Sequence, residues 1–197
     1  MDIILSTRNP SKVLQIQEIF GNSSIRVLTL DDAEIKGEAV EDGALLEENA
    51  LKKAWFAYEK AGRNVWTMAD DTGLFIKSLD GEPGIYAARW AGEDATTQET
   101  MQFCLEQMKN SLNRSAAFRV AVVLISPNGE PYMFFGEVQG SMLEAPRVPP
   151  QPKMPYSPLF VPDGHDLSWA EMSTSEENAI SHRGIAFRQV KSFMENL

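Results

Sequence analysis

The chain has 197 residues, with 18 Lys and Arg against 28 Asp and Glu, and a formal net charge of −10 at pH 7. That length fits one domain or two small lobes, and 43% hydrophobic residues suffice for a core, which excludes a disordered acidic chain. The charge argues against duplex nucleic acid or an anionic membrane as partner, because both need a basic footprint; a small anionic ligand needs only a few local cations.

The single cysteine, Cys104, excludes an internal disulfide and paired-cysteine zinc sites. The first five residues lack the basic flank of a signal peptide, and the longest internal apolar run, Val120 to Ile125, is too short to span a bilayer. These features read as a soluble, cytoplasmic protein.

In chain order, Ile3-Ile4-Leu5 reads as a short buried strand, followed by the loop Ser6 to Lys12. Val13 to Phe20 is amphipathic, with Val13, Ile16, Ile19 and Phe20 on one face, Asn9 as cap, Pro10 at the first helical position and Gly21 as stop. Ile25 to Leu30 is a second strand. After an acidic stretch, a helix is expected from about Leu45 to Ala61, stopped by Gly62. Val65 to Ala69 is a third strand, ending in Asp70-Asp71-Thr72-Gly73, with Leu74-Phe75-Ile76 extended beyond it. Asp80 to Gly84 is dense in turn residues.

Thr96-Thr97-Gln98-Glu99 is a capping box opening a helix to about Asn113, with Cys104 at an apolar position. Ala116 to Ile125 and Tyr132 to Val138 form a hairpin around Pro127-Asn128-Gly129-Glu130. Glu144 to Pro158 holds Pro146, Pro149, Pro150, Pro152, Pro155 and Pro158, which forbids a helix or central strand and predicts a surface loop or arm. Ser173-Thr174-Ser175-Glu176 opens a short helix, and a last helix runs from His182 or Gly184 to the C-terminus. Trp90 and Trp169 read as packing residues and His165 as a surface residue. The alternation of strands and helices gives an α/β class.

Several positions could carry chemistry, and each has a plainer reading. Backbone N–H groups at the start of the first helix, with Lys12, Arg8, Thr7 and Ser11, suit an anion such as phosphate; Asn-Pro is also an ordinary helix start. In Asp70-Asp71 adjacent side chains point to opposite faces of a strand, so that one carboxylate can face a metal such as Mg²⁺; an Asx turn closed by Gly73 is the alternative. Glu41 could meet Asp71 over a metal. Lys53, beside Ala54 and Ala57, either snorkels or pairs with phosphate. His182 and Arg183 stand at a helix start, suited to an anion or a nucleobase edge.

The order of these pieces carries more than any one of them. Thr7-x-Asn9-x-x-Lys12, Glu41 through Glu48-Asn49-Ala50 to Lys53, Ala69-Asp70-Asp71-Thr72-Gly73-Leu74, Gly81-x-Pro83-Gly84-x-Tyr86-x-Ala88-Arg89 and Asn178-Ala179-Ile180-Ser181-His182-Arg183-Gly184 follow one another along nearly the whole chain. Together they closely resemble the inosine/xanthosine triphosphate pyrophosphatase family. The resemblance implies one domain over 1–197 in two lobes, with a long central mixed sheet and the active site in the cleft between lobes. It implies a Mg²⁺-dependent homodimer that cleaves nucleoside triphosphates to monophosphate and pyrophosphate. By position, Thr7, Arg8, Asn9, Pro10, Ser11, Lys12 and Lys53 match phosphate-binding residues. Asp71 matches the general base, Glu41, Asp70 and Asp71 the metal carboxylates, and Thr72 a substrate position. His182 and Arg183 match residues that contact the base.

The departures are concentrated. The family usually carries Gly-Phe-Gly-Tyr/Trp-Asp-Pro where this chain has Lys153-Met154-Pro155-Tyr156-Ser157-Pro158, and Lys where it has Glu177. Met154 stands at an aromatic stacking position and Ser157 at an Asp, with Tyr156 or Phe160 as other candidates for the stack. Altered base specificity, or nucleotide binding without turnover, are the alternatives to the family's usual activity.

Overall fold

The computed structural model describes residues 1–197. The elements in chain order are β1 (Asp2–Leu5), α1 (Pro10–Phe20), β2 (Arg26–Thr29), α2 (Leu46–Lys60), β3 (Trp66–Ile76) and β4 (Pro83–Gly84). They continue with α3 (Thr97–Gln107), β5 (Ser115–Ile125), β6 (Pro131–Met142), β7 (Phe160–Pro162), α4 (Thr174–Ile180) and α5 (His182–Glu195). One mixed sheet runs β2-β1-β3-β5-β6-β7, with β4 added to β3. The expected α/β class with a long mixed sheet is what the structure shows. β1 is parallel to β2 and β3, and the other pairs are antiparallel.

The third strand does not stop at Ala69. β3 continues through Asp70-Asp71-Thr72-Gly73 because β5 pairs with it without a break, from Thr67↔Ile125 to Ile76↔Ala116. Gly73 therefore closes no Asx turn. Its role is close approach: a Cβ there would lie 2.8 Å from the Gly84 carbonyl oxygen of β4. The other edge of β3 is covered only in part. β1 pairs with Trp66 to Met68 and β4 with Leu74 and Phe75. Between them Ala69 to Gly73 have no strand partner on that edge, and the chain leaving β1 turns away there.

Residues alternate between the two faces of this sheet. Met68 and Val122 pack with Ile16 and Phe20 of α1 and Phe187 and Val190 of α5. Ala69, Ala121 and Val123 face Ala50, Ala54 and Tyr58 of α2. Farther along, Leu74, Ile76 and Phe118 bury Met101, Cys104 and Met108, with Phe160 and Trp169. Cys104 is core as expected, and burial pushes its thiol up to about 12. The helix opened by the Thr96 capping box ends at Gln107 rather than near Asn113, because Met108 is fully buried and the chain turns there. β6 reaches past Val138 to Met142 because β7 pairs with Gly140 to Met142.

The proline-rich segment is only partly a surface arm. Its middle lies over the start of α1, where Ser11 Oγ donates to the Pro152 carbonyl (2.9 Å) and Asn9 Nδ2 to that of Lys153 (3.2 Å). It then enters the core: Tyr156, Ser157, Leu159 and Phe160 are all buried, and the Tyr156 hydroxyl donates to the Ala87 carbonyl at 2.6 Å. The prolines exclude regular structure but leave apolar side chains between them free to pack.

α5 begins against β6. A Cβ on Gly136 would collide with the His182 carbonyl oxygen and stand 3.2 Å from the Ala186 nitrogen. The His182 ring stacks on Phe118 at 5.1 Å and Trp169 at 5.0 Å between centroids, and its two nitrogens are buried without a protein partner. Burial, and then Arg183, hold its pKa well below the ordinary histidine value.

Two outcomes follow from this packing. Gly136→Ala should lower the unfolding free energy by about 1–3 kcal/mol through overpacking, read as a lower urea midpoint at unchanged slope. His182 is neutral when folded and takes a proton when unfolded below about pH 6.5. Stability should therefore fall as pH drops below that value, by up to about 1.4 kcal/mol per pH unit from this group. Denaturation of wild type and His182→Phe at pH 7.5 and 5.5 checks it, the variant losing less on acidification.

Candidate active site

A cavity of about 340 Å³ opens where β1 ends beside the uncovered edge of β3. Such a volume suits a small-molecule ligand, and the place follows the rule that α/β ligands sit beyond the carboxyl end of a parallel strand. The loop after β1 contributes Thr7, Arg8 and Asn9, and the first turn of α1 Lys12; α2 and the segment before it contribute Lys53 and Glu41; β3 contributes Asp71 and Thr72. The proline-rich segment adds Met154, Tyr156 and Ser157, and the end of the chain adds Glu177, His182 and Arg183. Pro10, Ser11 and Asp70, expected in the same set, do not line it.

Asp70 and Asp71 point to opposite faces of β3. Asp70 is wholly buried, accepting from Lys12 Nζ at 2.7 Å and Thr72 Oγ1 at 3.2 Å, with Arg183 Nε at 3.5 Å. Burial opposes its charge, but Lys12, Arg183 and Lys53 outweigh that and hold it far below the usual carboxylate range. Asp70 is thus turned away from Glu41 and Asp71, and Glu41, Asp70 and Asp71 form no three-carboxylate cluster. The strand alternation that separates the two aspartates also separates the expected metal set.

Asp71 accepts from Lys53 Nζ at 2.7 Å and from Asn49 Nδ2 at 3.3 Å. Burial raises its pKa against the pull of Lys53. The same ammonium reaches Glu41 Oε2 at 3.0 Å, so these two carboxylates converge on one cation position. Burial works against the Lys53 charge, but Asp71, Asp70 and Glu41 together raise its pKa, whereas for Lys12 burial prevails and lowers it.

The start of α1 is not the open anion site its sequence suggests. Asn9 Oδ1 accepts from the N–H groups of both Ser11 (3.0 Å) and Lys12 (3.4 Å), and Pro10 has none to give. The Ser11 hydroxyl serves the proline-rich segment. Arg8 is committed to Asp31 at 2.7 Å and to the carbonyls of Ile35 (2.9 Å) and Gly37 (3.3 Å), so it clamps the acidic loop. Thr7 Oγ1 accepts from the Asn9 N–H and keeps its own hydrogen to donate.

The other part of the cavity is aromatic. Phe118, Trp169, Tyr156 and His182 line it, with Met154 and Ser157 from the proline-rich segment. The Ser157 hydroxyl donates to the Met154 carbonyl at 2.9 Å. Arg183 is only 3% exposed and spends its donors on Gln15 Oε1 (2.6 Å), Thr72 Oγ1 (3.3 Å) and Asp70. Glu177 is 4% exposed, and burial raises its pKa against Arg183 and Gln15.

Sequence reasoning missed Asn49, Gln15 and Phe118 and gave Trp169 packing alone. The first two carried a readable signal: Asn49 stands four residues before Lys53 and Gln15 three after Lys12, each on the face of the lysine. Phe118 sits in an apolar strand and offers no such mark.

Known proteins resemble this chain along almost its whole length. Residues 3–193 match the model of the Ham1 family. The chain is 37% identical over 194 residues to the dITP/XTP pyrophosphatase of Geobacter sulfurreducens, covering 98% of this chain and 96% of that protein. It is 36% identical over 200 residues to the dITP/XTP pyrophosphatase of Clostridium perfringens, covering 98% and 97%. Among solved structures, a HAM1 protein from Coxiella burnetii superposes with a TM-score of 0.85 at 31% identity, all of both chains being covered. The Ham1 protein of Staphylococcus aureus gives 0.82 at 28%, covering 100% of this chain and 99% of that one. With a family model spanning almost its full length and relatives above one-third identity, the chain belongs to the Ham1 family.

Proposed function

We propose that this chain hydrolyses non-canonical purine nucleoside triphosphates, of the dITP, ITP and XTP kind, to the monophosphate and pyrophosphate. The observation that carries the reading is the pair Lys12 and Lys53. They arrive from opposite faces of the sheet, each fixed by one of two adjacent aspartates, and open on one cavity with an aromatic part. The names of the relatives, dITP/XTP pyrophosphatase, support it.

Cleavage of a phosphoanhydride is mainly positioning and charge neutralisation. Lys12 and Lys53 supply fixed positive charge and the Thr7 hydroxyl a further donor. Asp71 is placed to accept a proton from the attacking water: it lines the cavity, burial raises its basicity, and Asn49 fixes its orientation. Asp70 touches no ligand space and acts as a positioning residue, holding Lys12 and Arg183. The aromatic part takes the base.

The donor set suits a divalent cation. Glu41 and Asp71 are two hard oxygen donors already aimed at one cation, and Mg²⁺ commonly takes one or two carboxylates together with substrate phosphate and water. When bound there, Mg²⁺ would neutralise phosphate charge and polarise the anhydride. We extend the reading to Mg²⁺ as the metal, a homodimer as the assembly and the cytoplasm as the setting, on the family resemblance. No helix is long and apolar enough to cross a membrane.

Incubation with dITP, ITP, XTP and the common triphosphates in the presence of Mg²⁺ should release pyrophosphate, and not phosphate, from at least one non-canonical substrate. Silence across that panel would sink the reading. Asp71→Asn should lower kcat by about 10²–10⁴, the scale of general-base catalysis, while the thermal transition shows a folded protein. Chelation with EDTA should stop pyrophosphate release, and added Mg²⁺ should restore it; undiminished release in EDTA would remove the metal from the mechanism.

A further inference from the structure

Glu177 is a buried carboxylate that lines the aromatic part of the cavity and has no cation of its own. The one cation acting on it, Arg183, is bonded instead to Asp70, Gln15 and Thr72. Gln15 donates a hydrogen bond to it, but a carboxylate this deeply buried with no cation of its own costs free energy that pairing with a ligand can recover. The same wall also holds unpartnered donors. His182, five residues on, has both ring nitrogens unpartnered, and the Trp169 indole nitrogen beside it is unpartnered too. Phe118 and Met154 are apolar, and the Ser157 hydroxyl is turned to the Met154 carbonyl.

A ligand that completes this wall presents an N–H to Glu177 and an acceptor to the unpartnered Trp169 indole N–H. We propose that Glu177 sets base specificity, accepting from the N–H edge of a neutral purine and disfavouring a ring that carries negative charge. This rests on the function proposed above, and it separates the two substrates in the relatives' names. Hypoxanthine is neutral and has an N1–H donor. Xanthine loses a ring proton near neutral pH, so its nucleotides bring an anion to the base pocket. An anion there faces a buried carboxylate, and like charges at close quarters discriminate strongly. Among the non-canonical bases, the favoured one is therefore the neutral purine with a ring N–H, hypoxanthine, ahead of xanthine.

The test compares kcat/KM for ITP and XTP at pH 8 in wild type, Glu177→Gln and Glu177→Lys. The wild type should favour ITP by about tenfold or more. Glu177→Gln should narrow that ratio by raising XTP turnover, and Glu177→Lys should invert it. A role in folding alone would shift stability and leave the ratio where it was. An ITP to XTP ratio that is the same in all three proteins overturns the proposal, even with full pyrophosphatase activity. Should wild type release no pyrophosphate, the function reading fails by itself and calorimetric titration with IMP and XMP decides the pocket. Tighter IMP than XMP in wild type, with a smaller gap in Glu177→Gln, supports the assignment; equal affinities, or an unchanged gap, overturn it.

Discussion

Two adjacent aspartates in one extended strand must point to opposite faces of a sheet. On β3 that constraint sends Asp70 toward α1 and α5 and Asp71 toward α2. Each buried carboxylate needs a cation on its own side, because an isolated buried charge is costly. Lys12 and Arg183 answer on one face, and Lys53 on the other. The two helix layers are tied to one strand by their charges as well as by their apolar faces. The uncovered edge between β1 and β4 then lets both lysines reach one cavity. Had β1 run a few residues longer beside β3, that edge would have been filled by a backbone ladder.

Much of this was legible from residues alone, for stated reasons. The short parallel strand, the Asn9-Pro10 helix start, the capping boxes and the hairpin depend on local chemistry, and local chemistry is what a sequence displays. The opposite-face reading of Asp70 and Asp71 depends only on strand geometry. Most of the errors come from partners distant in sequence. Asp-Asp-Thr-Gly has turn composition, yet β5 holds it extended, because pairing along both halves of β3 outweighs a local turn preference. The N–H groups at the start of α1 read as open to an anion, with an ordinary capped start as the alternative, and the Asn9 cap takes two of them; Arg8 read as a phosphate cation, but Asp31 and two carbonyls claim it. A hydrogen-bond tally, and not residue type, decides which cations remain available.

The proline-rich segment shows why composition alone misjudged an element. Its prolines restrict the unfolded chain and so lower the entropy cost of one fixed path. Lys153 follows that path at φ +58°, a left-handed conformation that costs a side chain more than it costs glycine. The hydrogen bonds from Asn9 and Ser11, and the buried Tyr156 and Phe160 after it, hold the segment in place. Two residues expected to face phosphate are therefore also the ones that fasten the wall carrying Met154 and Ser157.

The overall charge of −10 gives no hint of how the site handles a polyanion; the local balance does. The cations lining the cavity are Arg8, Lys12, Lys53, Lys153 and Arg183; Arg8 is paired with Asp31, Lys12, Lys53 and Arg183 are matched by Asp70, Asp71 and Glu41, and Lys153 makes no ion pair. The set is close to neutral before any ligand arrives. A triphosphate brings several negative charges, and of these cations only Lys153 is not already paired, so most of that charge has no counterpart among the side chains. The electrostatic case for a divalent cation is that deficit, together with two carboxylates aimed at one cation position. The proposed role of Glu177 extends the same argument to the far part of the cavity: one more negative charge in the wall favours a base that brings a donor and no charge.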